Sequence, residues 1–101
     1  MSRFSTNSDA SARQVNKKMK LRPEHVIGAR GMLGLSQATL ATAAGLSQRS
    51  VERFERGETT LKEDSLLRIQ VALEQRGIEF FNGNSPGVRF HPERALIPKG
   101  S

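Results

Sequence analysis

Residues 36–57, SQATLATAAGLSQRSVERFERG, restrict the chain to few folded arrangements. Ser36 can accept hydrogen bonds from the free backbone N–H groups that open a helix, and Leu35 before it and Leu40 after it have the spacing of a hydrophobic staple. Gly45 then interrupts the run, and glycine tolerates the left-handed backbone that turns a chain sharply. The same grammar restarts at once, with Ser47 as cap, Leu46 and Val51 as staple and Gly57 as the stop. The second helix buries Val51 and Phe54, and Ala41 on the first is small enough to let the pair pack closely, near a right angle. Gln48, Arg49, Glu52, Arg53 and Arg56 are left facing outward.

Helical spacing extends on both sides. Pro23 suits the first position of a helix over residues 23–33, with Val26, Ile27, Arg30 and Leu33 as its periodic positions. Gly28 and Gly31 weaken it by roughly 0.8–1 kcal/mol each relative to alanine, unless close packing against another element offsets the loss. A last helix over residues 62–76 carries Leu66, Ile69, Ala72 and Leu73 on one face. Leu67 and Val71 widen that stripe and imply a second contact. Residues 78–81 and 88–90 read as strands around a turn-rich segment. Because an isolated hairpin is marginal in water, it is expected to dock on the last helix or to pair with its copy in a second subunit. Residues 1–20 have the Ser, Asn, Lys and Arg content of a flexible arm, and residues 91–101 are expected to be a tail.

The charge is unevenly spread. The net charge is +6, of which residues 1–22 contribute +5, from six basic side chains against Asp9. Residues 23–76 hold seven basic and seven acidic groups, so a polyanionic partner would have to be met there by the placement of charge, not by its total. No cysteine is present, which excludes disulfides and thiolate metal sites and is consistent with a reducing cytoplasm. No apolar run approaches the ~18 residues of a membrane span, and the first residues lack the apolar centre of a signal peptide. A cytoplasmic location is therefore expected. His25 and His91 lie far apart with no other His or Cys near either, and Glu63 with Asp64 is favourable charge at a helix start. No catalytic residue, metal or cofactor is expected, and the chain is not read as an enzyme.

Two capped helices about a glycine turn make a helix-turn-helix, and the chain around them resembles the Cro and phage-repressor family, also called the xenobiotic-response-element type. The resemblance runs from about Leu21 through Arg76 and carries Gln37, Leu40, Ala41, Gly45, Ser47, Val51, Glu55 and Gly57 in the family's order without gaps. The continuation through Gly77-Ile78-Glu79-Phe80 and Gly87-Val88-Arg89-Phe90 is similar to a subgroup of small bacterial regulators that add a strand pair. This implies a mainly α fold: a four-helix repressor-like DNA-binding domain over residues 21–76, then a short C-terminal β-hairpin over residues 77–90. Its implied partner is double-stranded DNA, met in the major groove by the first turn of the second motif helix.

The implied base-reading positions are Gln48, Arg49 and Arg53, and the implied phosphate-binding position is Gln37. Glutamine pairs two ways with adenine, and arginine forks onto guanine. Ser36, Ser47, Ser50 and Arg56 are secondary phosphate candidates, and the resemblance implies an internal ion pair between Arg30 and Glu55. Arg22 departs from the pattern by standing where a threonine cap is usual, and Glu58 by placing an acid where many relatives are basic. One recognition helix buries little, so a homodimer on an inverted repeat is expected, with Phe80, Phe81, Val88 and Phe90 at its interface. The alternative function is a protein-interaction module, an antitoxin or anti-activator whose helices cover a protein partner.

Overall fold

A computed structural model of the chain describes residues 20–82 and 86–98. Four helices come first: α1 (Pro23–Leu33), α2 (Gln37–Ala44), α3 (Gln48–Glu55) and α4 (Glu63–Glu74). An antiparallel hairpin of β1 (Ile78–Asn82) and β2 (Pro86–Phe90) follows, then one 3-10 turn at Pro92–Arg94. The mainly helical architecture with a C-terminal hairpin is the one expected. The arm, apart from Lys20, lies outside the described residues.

Local chemistry sets the helix ends. The Ser36 hydroxyl accepts the Thr39 N–H at 3.0 Å, and the Ser47 hydroxyl accepts the Ser50 N–H at 3.1 Å, each relieving one of the orphan donors of a helix start. Gly45, at φ 71°, turns the chain between α2 and α3 in the left-handed region that glycine adopts without strain. Leu40 and Ala41 of α2 and Val51 and Phe54 of α3 are all buried, and they share one core with Val26, Ala29 and Leu33 of α1 and Ile69 and Leu73 of α4.

The start of α1 is capped in reverse. Arginine has no acceptor, so the Arg22 side chain cannot cap, and it makes no cap hydrogen bond. Instead His25, three residues on, accepts the Arg22 N–H on Nδ1 at 3.0 Å. That bond places the ring hydrogen on Nε2, which donates to the Phe81 carbonyl at 2.8 Å. A buried histidine, 1 % exposed, thus fastens the start of α1 to β1.

Three expectations change. Ile27 is 46 % exposed, since it lies about 100° round the helix from Val26; the buried face of α1 is His25, Val26, Ala29 and Leu33. The hairpin docks chiefly on α1, not on the last helix. Phe80 meets His25 edge-on at 5.6 Å, and a Cβ on Gly28 would lie 3.2 Å from a methyl of Val88. Gly28 therefore opens the close approach that β2 uses. The third concerns the tail. The His91 N–H donates to the Gly77 carbonyl at 2.7 Å, and the Leu96 and Ile97 N–H groups both donate to the Gln75 carbonyl, at 2.7 and 3.1 Å. The last carbonyls of a helix need such donors, so residues 91–98 hold to the end of α4. His91 is also bonded to Glu79 at 2.7 Å.

Strand register sorts the hairpin's side chains. Ile78 pairs with Phe90 and Phe80 with Val88, so these four share the face turned to the body. Glu79, Phe81 and Arg89 take the other face, where the Arg89 guanidinium lies 5.1 Å from the centre of the Phe81 ring.

Candidate nucleic-acid interface

α3 is short and strongly two-sided. Val51 and Phe54 anchor it in the core, while Gln48, Arg49, Arg53 and Arg56 are exposed. Serine capping at Ser47 fixes the direction of its first turn, which carries Gln48 and Arg49. Neither of these two side chains makes a hydrogen bond or ion pair among the described residues.

A polar brace holds the far end of α3. Arg30 forks onto Glu55, Nε to Oε2 at 2.7 Å and the second amino nitrogen to Oε1 at 2.8 Å, and its remaining nitrogen donates to the Leu35 carbonyl at 3.0 Å. The Glu55 side chain is 6 % exposed and that of Arg30 20 %. Hydrogen bonding to Glu55 raises the Arg30 pKa above its ordinary value, against the opposing effect of burial. Gln37 joins the same carboxylate, donating from Nε2 to Oε1 at 3.0 Å. One cluster thereby ties α1, the linker before α2, the first residue of α2 and the last residue of α3. Gln37 commits one amide hydrogen to this brace and keeps a second.

Acid also reaches the outward face. Glu58 accepts from Arg56 Nε at 2.9 Å and from its amino nitrogen at 3.4 Å, and it stands 3.7 Å from Arg53 Nε. The hydrogen bond to Glu58 is the largest cause raising the Arg56 pKa. Arg53 and Arg56 thus share a carboxylate, whereas Arg49 does not. Ser36 and Ser50 are spoken for locally: the Ser36 hydroxyl bonds that of Thr39, and the Ser47 and Ser50 hydroxyls bond each other, both at 2.9 Å.

The four apolar hairpin residues do not fall together. Phe80, Val88 and Phe90 pack against the core, and Phe81, 38 % exposed, faces out. Sequence reasoning missed the Gln37 contact, the reach of Glu58 and the buried His25. For His25 a signal existed, since it stands at the third helical position, where a capping box places its reciprocating side chain. Among the described residues no group of three or more His, Asp or Glu side chains could hold a metal ion, and no helix is long and apolar enough to cross a membrane.

A helix-turn-helix family model matches residues 29–80, from within α1 to β1 and just over half of the chain. The chain belongs to this family, the Cro and phage-repressor type, whose members are DNA-binding regulators of transcription. No curated protein matches it.

Proposed function

We propose that this regulator binds an inverted-repeat operator as a homodimer, each copy placing the amino end of α3 in the major groove. The observation that carries this reading is the pair Gln48 and Arg49: exposed, without protein partners among the described residues, and projecting from the capped first turn of a helix whose far end is held by the Arg30–Glu55 brace. Each such contact discriminates between bases by about 1–3 kcal/mol, glutamine favouring adenine and arginine guanine. Arg53 reads the next pair once it exchanges Glu58 for DNA. Gln37 meets a phosphate with its second amide hydrogen, and Ser36, Ser47, Ser50 and Arg56 line the backbone on either side.

Dimerisation places two recognition helices about 34 Å apart on one face of the duplex. Of the four hairpin residues, Phe81 is the outward contact, since Phe80, Val88 and Phe90 support it from the inner side. The experiment is selection of bound fragments from random duplexes by the full chain, followed by sedimentation of the complex. The expected result is an inverted repeat with two chains per site. No enriched sequence, or one chain per site, overturns the reading; no enrichment together with a stable protein complex would favour the interaction-module alternative.

A further inference from the structure

Three carboxylates sit on α3 or just after it, and among the described residues two of them form ion pairs with arginine. Glu55 is turned inward onto Arg30, and Glu58 holds Arg56 and approaches Arg53. Glu52 is half-buried; its charge contributes to raising the Arg56 pKa, but it makes neither an ion pair nor a side-chain hydrogen bond among the described residues. It stands four residues after Gln48, three after Arg49 and four before Arg56, which puts it on the outward face among the groups that approach DNA.

A carboxylate in that position is repelled by phosphates and accepts hydrogen bonds only. In the major groove guanine and thymine offer acceptors at O6, N7 and O4, which repel it, and adenine sets its N6 donor beside an acceptor, N7. Cytosine offers the N4 donor with no acceptor of its own beside it. We propose that Glu52 is a fourth base-reading residue, selecting cytosine within each half-site and rejecting the other bases by acceptor–acceptor repulsion. This role presupposes α3 in the major groove. It gives the face a source of specificity that works by exclusion as well as attraction.

The test uses the full chain and the duplex it selects. Wild type, Glu52→Ala and Glu52→Gln are titrated against the selected site, against versions with each other base in place of the cytosine, and against one whose pyrimidine lacks the N4 amino group. Wild type is expected to lose roughly tenfold in affinity on any of these changes, within the range of a good base contact. Glu52→Ala is expected to bind all versions within about twofold of one another while gripping unrelated DNA more tightly, because a like charge has left the interface. Glu52→Gln, which can both donate and accept, is expected to admit adenine. A selected site whose preferences survive Glu52→Ala overturns this role alone. Absence of any selected site overturns the DNA reading and this role with it.

Discussion

Glu55 gathers three side-chain hydrogen bonds from two elements. It accepts from Arg30 twice and from Gln37 once while nearly hidden from solvent. Glu55→Ala strands a guanidinium and an amide together, so a loss of about 3 kcal/mol is expected in denaturant unfolding, at the lower end for breaking a buried pair. Glu74 is the opposite case. Burial raises its carboxyl pKa from the usual 4.5, partly countered by the amide of Gln70. A raised acid pKa means that the folded state binds the proton more tightly, so stability is lost as pH rises from the unfolded value through the folded one. Glu74→Gln is therefore expected to match the parent in acid and exceed it at neutral pH, read from unfolding midpoints across pH; a deficit at neutral pH would contradict this. Of these contacts the resemblance implied only the Arg30–Glu55 pair. The Gln37–Glu55 bond has no local signature because it needs the relative placement of α2 and α3, whereas the reach of Glu58 to Arg53 and Arg56 is local and depends on how the chain turns after α3.

At the level of elements, the two interior glycines of α1 differ in what surrounds them. Among the described residues, and leaving aside the helix's own backbone, nothing lies within 4 Å of a Cβ built on Gly31, whereas Gly28 faces Val88. Gly31→Ala is expected to raise stability by about 0.8–1 kcal/mol, the helix-propensity difference, measured by thermal unfolding. Gly77 has no such freedom. Its φ is +96°, and a Cβ would come within 2.5 Å of the His91 carbonyl oxygen, so Gly77→Ala is expected to cost at least ~1–2 kcal/mol and to loosen the segment that closes α4. Helix existence, the serine caps and the Gly45 turn were readable because each is written within a few residues. The hairpin's seat was not. Leu67 and Val71 on α4 suggested a broad docking face, yet the room for β2 is made by the missing side chain of Gly28 and by the edge contact of His25 with Phe80. A glycine inside a helix reads as a weakness until its neighbour across space is known.

For the whole molecule, the division between a basic arm and a neutral body is expected to set how binding responds to salt. The arm, apart from Lys20, lies outside the described residues, and its part in binding is proposed on charge alone. Each phosphate contact adds about 0.9 to the slope of log affinity against log salt, so Lys17→Gln with Lys18→Gln is expected to lower that slope by up to about 1.8 per chain. An unchanged slope would mean that the arm stays clear of the duplex. The proposed two-fold symmetry makes a stricter demand, because one substitution must then alter two places in the operator at once. The most direct measurement is the base preference of Arg49→Ala at every position of the selected operator. The expected result is preference lost at one position in each half-site, the two related by the dyad, with the remaining positions intact. Uniform weakening across all positions, or an unaltered profile, would contradict recognition through the amino end of α3.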